Sequence, residues 1–389
     1  MPEPLTRSSQ LAEVIEAMRQ AHGPLALDAE RASGYRYSQR AYLVQLRRTG
    51  LGTVLIDPIA LPALTLLNDA IGGAEWILHA ANQDLPCLAE VGLAPAALFD
   101  TELAGRLLGT DRVALGTMVE QHLGVRLEKG HSAADWSTRP LPRDWLAYAA
   151  LDVELLIGLR DALAAALHAA GKDEWARQEF EAVRLAPASG PRSEPWRRVS
   201  GIHKLRSRHQ LAFARALWHA RDDYASYHDI APGRVLRDQS IVDAARLGPT
   251  RSADLAALAG FGGPRQRRNL GRWMQALDDA RALPDELLPA TAAAAGDGIP
   301  PPGRWAERQP EAVERLVNCR AVVTDLAAAH TVLAQNLLAS DVLRRLAWEP
   351  PRPADPATVA QRLAELGARP WQIQLCTAGL ADALNADPP

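Results

Sequence analysis

The strand-like segments of this chain all lie in its first 80 residues, and the pattern that follows is helical. The segments LALDAE, RAYLVQL, GTVLID and EWILHA are short apolar or alternating runs, as expected of β-strands. Helical patterns follow, the longest being RDWLAYAALDVELLIGLRDALAAALHAAG, which begins at Arg143. Hairpin-like strands followed by strand–helix units predict an α/β domain with a mixed sheet flanked by helices.

Two linker-like stretches divide the helical remainder of the chain. The first, APASGPRSEP, follows Leu185, and the second, PDELLPATAAAAGDGIPPPG, is rich in Ala, Gly and Pro. The two helical blocks that they delimit are similar in length, which is compatible with a diverged duplication. We predict an α/β domain at 1–184, a linker at 185–200 and a helical domain at 201–284. A second linker at 285–303 and a second helical domain at 304–389 follow.

Composition places the chain among soluble globular proteins. Of its 389 residues 48% are hydrophobic and 23% charged, and no apolar run reaches the roughly 18 residues of a membrane span. Cys87, Cys319 and Cys376 have neither disulfide nor zinc-ligand spacing, which fits a reducing cytoplasm. The net charge is −3, yet Ser189 to Glu286 carries 17 Arg and Lys against 11 Asp and Glu. We therefore expect metal chemistry and polyanion binding in different domains.

Asp28 and Glu30 end the first predicted strand with only Ala29 between them. Residues i and i+2 of a strand point to the same face, so the two carboxylates would repel each other. An isolated Asp-x-Glu pair usually marks a polar strand end that enters a turn. The pair becomes half of a cation site only if the fold brings further acids alongside it.

Two further positions supply candidate acids. Asp84 follows the strand EWILHA at a predicted helix start, because Pro86 is tolerated only in a first turn and Asn82 is a good N-cap. Tyr148 and Asp152 are spaced i, i+4 on the long helix, on an otherwise apolar stripe. An Asp on a buried stripe must be paired, protonated or bound to a cation. For Asp84 the alternative is an acid that complements a helix dipole.

Four converging carboxylates would raise one another's pKa values unless cations neutralised them. Oxygen ligands without a His or Cys cluster select Mg²⁺ or Mn²⁺ over zinc. Two such ions about 4 Å apart would clamp the attacking and leaving oxygens of a phosphodiester. This pattern therefore favours a metal-dependent phosphodiesterase.

Taken in order, the motifs LALDAE, LHAANQDL and YAALDVELL resemble the exonuclease domain of the ribonuclease D family, in the superfamily named for four acids plus a tyrosine. The likeness covers about Leu5 to Ala170. The block RHQLAFARALWHARDDYASYHDIAPGRVLRDQSIVDAA resembles the helicase-and-ribonuclease-D C-terminal (HRDC) domain, and the last helical block resembles it more faintly. The resemblance implies a ribonuclease H-like exonuclease domain at 1–184, an HRDC domain at 201–284 and a diverged HRDC-like domain at 304–389.

The resemblance implies metal ligands at Asp28, Glu30, Asp84 and Asp152, with Tyr148 orienting the attacking water. The implied enzyme is a 3′–5′ exoribonuclease that uses two Mg²⁺ or Mn²⁺ ions and releases 5′-mononucleotides, with the 3′ ends of tRNA precursors as its substrate. We expect a cytoplasmic monomer that binds single-stranded RNA 3′ ends and no membrane. The alternatives are a DNA exonuclease of the same superfamily and a catalytically silent nucleic-acid-binding scaffold.

The sequence departs from the family pattern in two places, with Arg31 where an aromatic residue is common and Ser38 where Pro is usual. Substrate-binding candidates are the strand-end residue His79, the loop residue Lys129 and two basic clusters, WRRVSGIHKLRSRHQLAFAR and GFGGPRQRRNLGR. The alternatives are a histidine satisfied by backbone and ordinary solvated charges. Arg forks match phosphate geometry, so we predict phosphate contacts by Arg206, Arg208, Arg265, Arg267 and Arg268.

Overall fold

The computed structural model describes residues 2–127, 130, 133–187, 190, 192–291 and 298–386. Five strands form one mixed sheet, namely β1 Leu25–Arg31, β2 Ala41–Arg48, β3 Gly52–Ile56, β4 Glu75–Leu78 and β5 Ala97–Asp100. Their order is β3-β2-β1-β4-β5, with β1 antiparallel to β2 and parallel to β4. The mixed sheet confirms the predicted fold class. The edge strand β5, only four residues long, was missed.

The helices of the α/β domain pack on this sheet and are α1 Ser8–Gln20, α2 Thr65–Ile71, α3 Leu85–Glu90, α4 Thr101–Leu107, α5 Leu115–Leu123, α6 Arg143–Glu154, α7 Leu156–Ala169 and α8 Asp173–Arg184. The single long helix predicted from Arg143 was wrong, because the chain breaks at Leu155 between α6 and α7. The break lets α6 cross β1, β2 and β3 while α7 packs against α4 and α5.

The middle unit is helical and has a core of its own, which includes Trp196, Phe261 and Trp273. Its helices are α9 Arg208–His228, α10 Pro232–Val235, α11 Asp238–Leu247, α12 Ser252–Ala256, α13 Pro264–Arg268 and α14 Leu270–Arg281. In the part of the chain that the structure describes, no helix is both long and apolar enough to cross a membrane.

The last unit shares its core with the α/β domain. Its helices are α15 Trp305–Arg308, α16 Pro310–Ala329, α17 Ala334–Leu337, α18 Ser340–Trp348, α19 Pro356–Glu365 and α20 Pro370–Asn385. Buried residues of this unit, including Trp305 and Cys376, belong to the same hydrophobic cluster as the sheet. Trp371 stacks on Trp175 of α8 with ring centroids 4.5 Å apart. This helical block is therefore packed as part of the α/β domain, whereas the middle unit is packed around itself.

The two helical units follow the same backbone plan. Helices α9, α10 and α11 begin at residues 208, 232 and 238, and α16, α17 and α18 begin at 310, 334 and 340, at the same intervals. A residue with positive φ precedes each short helix, Asp229 at 47° and Thr331 at 50°. This correspondence supports the predicted duplication, which stays a proposal.

The corner that follows α9 docks the middle unit beside the strand with the Asp-x-Glu pair. The Asp229 carboxylate accepts hydrogen bonds from the backbone amides of Tyr37 at 3.1 Å and Ser38 at 2.9 Å. Arg234 Nε donates to the Gly34 carbonyl at 2.7 Å. The Tyr37 and Ser38 amides and the Gly34 carbonyl lie on the loop that follows β1, so the docking surface is close to the end of that strand.

Candidate active site

Two elements bring together three of the predicted acids. Asp28 and Glu30 share one face of β1, and α6 crosses this face with Asp152. One carboxylate oxygen from each of the three lies within 4.8 Å of the others. Together with Asp84 and Tyr148 they line a cleft of about 1040 Å³. The structure thus places all five predicted catalytic residues around one cleft.

Asp84 reaches this cleft from the turn that follows β4. A short 3₁₀ turn covers Ala81–Gln83, and Asp84 itself occupies the N-cap position of α3. The predicted N-cap at Asn82 was therefore wrong, because the extra turn delays the start of the helix. The Asp84 carboxylate lies 3.6 Å from the Arg31 guanidinium, which also lines the cleft.

Asp100 holds the turn before Asp84 in place and was missed in the sequence. Its buried carboxylate accepts hydrogen bonds from the amides of Ala80 at 3.1 Å and Ala81 at 2.8 Å. The same carboxylate caps α4 by accepting from two amides of its first turn. An acid directly before the helical segment TELAG is a typical N-cap signal, and it was the available clue.

The Tyr148 hydroxyl forms a hydrogen bond with the Asp152 carboxylate one helical turn later. Burial raises the pKa of Tyr148, and the charges of Asp152 and Glu30 raise it further, so the phenol is protonated at neutral pH. Gly130 packs directly against the Tyr148 ring, and a Cβ at this position would overlap the ring. The hydroxyl is therefore held at the edge of the acid cluster.

His79 lies on the cleft wall just after β4. Its Nδ1 is 2.9 Å from the Thr101 hydroxyl, which donates to the Leu78 carbonyl at 3.2 Å. Burial lowers the pKa of His79 to about 4, so the ring is neutral at physiological pH. A neutral imidazole can exchange a hydrogen bond with a substrate but brings no positive charge to a phosphate. Its predicted substrate contact stays a prediction.

The four candidate metal ligands share raised pKa values, and burial is the largest cause for each. The pKa of Glu30 is raised to about 10, those of Asp84 and Asp152 to about 8, and that of Asp28 to about 6. The charge of Asp28 raises the other three further. The charge of Arg31 lowers the pKa values of Asp28, Glu30 and Asp84 but does not outweigh burial, so the negative charge of the cluster is not fully balanced. Carboxylate oxygens whose negative charge is not balanced fit hard divalent cations such as Mg²⁺ or Mn²⁺.

We expect Mg²⁺ to stabilise the protein more at about pH 8 than at about pH 5. The pKa values of Asp84 and Asp152 are about 8 in the folded state, above the unfolded value of about 3.9. The stability that these two carboxyls contribute to the metal-free protein is therefore fully present below the unfolded pKa, and it is lost as the pH rises through the folded pKa. Thermal unfolding with and without saturating Mg²⁺ measures the difference at each pH. A Mg²⁺-induced shift in Tm that is constant across this range would contradict the prediction.

The predicted phosphate-binding arginines lie in the middle unit. Arg206, Arg265, Arg267 and Arg268 are exposed. Arg267 and Arg268 line a surface depression next to Gly262. Arg265 Nη1 also donates to the Arg234 carbonyl at 3.4 Å. All four guanidinium groups remain exposed, and their predicted role stays a prediction.

Two predicted substrate residues stand apart from this group. The Arg208 guanidinium donates to the carbonyls of Asp285 at 2.6 Å and Leu288 at 2.7 Å. This side chain thus holds the segment after α14 against α9, a use of its donors that sequence alone did not indicate. Lys129 lies outside the described residues.

Comparisons with known proteins match all three units. Residues 2–168 match the family model of a 3′-5′ exonuclease, residues 210–277 that of the HRDC domain, and residues 298–384 that of a 3′ to 5′ exonuclease C-terminal domain. The HRDC resemblance of the middle unit is thereby confirmed.

Similar full-length proteins agree with these matches. The chain is 34% identical to Ribonuclease D from Zymomonas mobilis over 296 residues, which covers 73% of this chain and 74% of that protein. A crystal structure of a protein from Bifidobacterium adolescentis has a TM-score of 0.90 at 38% identity, over 99% of this chain and 97% of that one. Escherichia coli RNase D, an exoribonuclease involved in structured RNA processing, has a TM-score of 0.72 at 24% identity over 100% of both chains. This last match concerns the fold alone.

Proposed function

The chain belongs to the ribonuclease D family and is a 3′–5′ exoribonuclease, and from this premise we propose that it trims structured RNA from the 3′ end by a two-metal mechanism, with tRNA precursors as its substrates. The observation that carries the proposal is the convergence of Asp28, Glu30 and Asp152 within 4.8 Å in a cleft that Asp84 and Tyr148 also line. An acid cluster of this kind suits phosphodiester hydrolysis.

Asp28, Glu30, Asp84 and Asp152 are the proposed ligands of two divalent cations, Mg²⁺ or Mn²⁺. When bound, such cations stabilise the negative charge on the attacking and leaving oxygens of the phosphodiester. The raised pKa values support this assignment, since these carboxylates take up protons when no cation balances their charge.

Tyr148 is the proposed positioning group for the attacking water. Its hydroxyl lies at the acid cluster through its hydrogen bond with Asp152, and it keeps its proton at neutral pH. Because the phenol is protonated, it acts by orienting the water rather than by removing its proton. Attack on the last phosphodiester breaks the P–O3′ bond and leaves the phosphate on the released 5′-mononucleotide.

The middle unit is the proposed site for the folded part of the RNA. Its exposed arginines supply charge for phosphate contacts, and its docking through Asp229 places it beside the end of β1. A single-stranded 3′ end would then enter the acidic cleft while the middle unit holds the preceding helix of the RNA. A diverged HRDC-like last unit would serve mainly as support, because its core is that of the α/β domain.

A 5′-labelled single strand, prepared as RNA and as DNA, tests the proposed function with and without Mg²⁺. We expect RNA to shorten one nucleotide at a time only when Mg²⁺ is present, with 5′-mononucleotides as the product. Equal or faster degradation of DNA would identify a DNA exonuclease. Binding without cleavage of either strand would identify a silent scaffold.

Reversing the charge of Arg267 and Arg268 together, by substitution with Glu, should weaken the binding of tRNA and leave cleavage of a short single strand unchanged. Each RNA phosphate that the variant no longer neutralises should reduce the slope of log K against log[salt] by about 0.7–0.9. Filter binding across a salt series measures the slope.

The matched control for this variant replaces Arg246 and Arg251, two exposed arginines of the same unit, with Glu. It changes the net charge equally but lies outside the predicted phosphate-binding cluster. Equal losses of affinity in both double variants would show that charge alone, and not the predicted cluster, governs binding.

A further inference from the structure

Gln45 lies on β2 with a side chain that is 0% exposed, yet neither its amide nitrogen nor its amide oxygen has a hydrogen-bond partner among the described residues. A buried amide without partners lowers the stability of the fold, so nearly all such groups in proteins are paired. The unpaired Gln45 amide therefore points to a partner that joins it in the working enzyme.

Single buried atoms of other side chains, such as Asn336 Oδ1 and Trp136 Nε1, also have no partner among the described residues, but the other two buried glutamines are both hydrogen-bonded. Gln266 donates to the Val235 carbonyl and accepts from the Trp273 indole at 2.9 Å. Gln372 accepts from the Arg369 amide at 2.7 Å and donates to a backbone carbonyl at 3.3 Å. Gln45 is the exception among these three, and it is also the one beside the acid cluster.

The strand register places Gln45 next to Asp28. The two residues are directly opposite each other in the antiparallel pair of β1 and β2. Opposite residues share a face of the sheet, with Cβ atoms about 4.5–5.5 Å apart. Leu43, two residues earlier on this face, packs in one cluster with Ala149 of α6. Gln45 thus lies beneath α6, on the side of the sheet where Asp28 and Asp152 converge.

We propose that Gln45 is a positioning residue for the metal site, whose amide N–H group donates to the Asp28 carboxylate, directly or through one buried water, when the carboxylate ligates a cation. Carboxylates that ligate metals are themselves held by hydrogen bonds from the surrounding protein, which fix their orientation. Leu43 and Leu55 beside Gln45 are apolar, whereas Asp28, its partner on β1, carries a carboxylate. This inference rests on the proposed function, because it takes Asp28 as a metal ligand.

The test replaces Gln45 with Met in the full chain, which keeps the length of the side chain and removes its hydrogen-bonding atoms. Binding of Mn²⁺ in the absence of RNA, followed by electron paramagnetic resonance of the free ion, should weaken by about 10-fold or more. The single-turnover rate at subsaturating Mn²⁺ should fall with it, while the Kd for RNA should not rise and the Tm of the metal-free protein should not fall. Gln45→Leu serves for the same measurement if the Met variant does not fold.

Two further variants separate the possible results. Gln372→Met makes the same substitution in the last unit, where it removes two hydrogen bonds, so it should lower Tm and leave Mn²⁺ binding unchanged. Asp28→Ala should lose Mn²⁺ affinity. If it binds Mn²⁺ as wild type does, the proposed metal site is wrong. If Asp28→Ala loses affinity but Gln45→Met binds Mn²⁺ as wild type does, the Gln45 amide only fills space and this inference alone is overturned.

Discussion

Replacing Asp28 with Ala, or Asp84 with Asn, is expected to abolish RNA hydrolysis and to leave the fold intact. Each substitution removes a proposed metal ligand, and cation stabilisation of a phosphoryl transition state contributes several kcal/mol. The expected loss in rate is therefore about 10³-fold or more. The stability of the metal-free protein should be unchanged or slightly higher, because burial disfavours both carboxylates in their ionised form and the charge of Asp28 adds to this effect at Asp84. Single-turnover rates and thermal unfolding measure the two effects.

Glu102→Gln is the matched control for these variants. Glu102 is an acid on the wall of the same cleft, but it forms an ion pair with Arg106 at 2.6 Å. Its substitution should leave the rate within a few-fold of wild type. Cleavage near the wild-type rate by Asp28→Ala or Asp84→Asn at saturating Mg²⁺ would contradict the assignment of these residues as metal ligands.

Tyr148→Phe is expected to lower kcat about 10²-fold, with much smaller effects on metal and RNA affinity. The substitution removes the hydroxyl that lies beside Asp152 and keeps the ring that packs against Gly130. A positioning hydroxyl contributes to the rate through the orientation of the attacking water, so its loss should appear in the chemical step. Single-turnover rates at saturating RNA and Mg²⁺ isolate that step.

Tyr37→Phe is the control for loss of a tyrosine hydroxyl. The Tyr37 hydroxyl donates to Asp222 of the middle unit at 3.1 Å and does not line the cleft, so this variant should cleave a short RNA at the wild-type rate. If Tyr148→Phe also stays within about threefold of wild type, on the scale expected for such groups, Tyr148 has no part in the mechanism.

Local sequence patterns were enough to predict much of the fold and most of the candidate site. Short apolar or alternating runs identified four of the five strands, because strand and helix periods are properties of neighbouring residues. The Asp28–Glu30 pair and the Tyr148–Asp152 spacing each place two side chains on one face of a single element. The position of Asp84 after a strand was also predicted from the sequence, although the N-cap of the following helix was wrongly assigned to Asn82. The family resemblance then linked these separate elements.

The remaining features depend on contacts between residues that are distant in the chain. The sequence does not show that Arg208 is committed to carbonyls after α14, or that Asp100 fixes the turn before Asp84. It divides the chain into domains by composition, whereas the structure packs the last helical block into the core of the first domain. Gln45 is an ordinary polar residue in the motif RAYLVQL until the register of β1 and β2 sets it opposite Asp28. Periodicity assigns a side chain to a face of its own element, but only the packing of elements decides what that face meets.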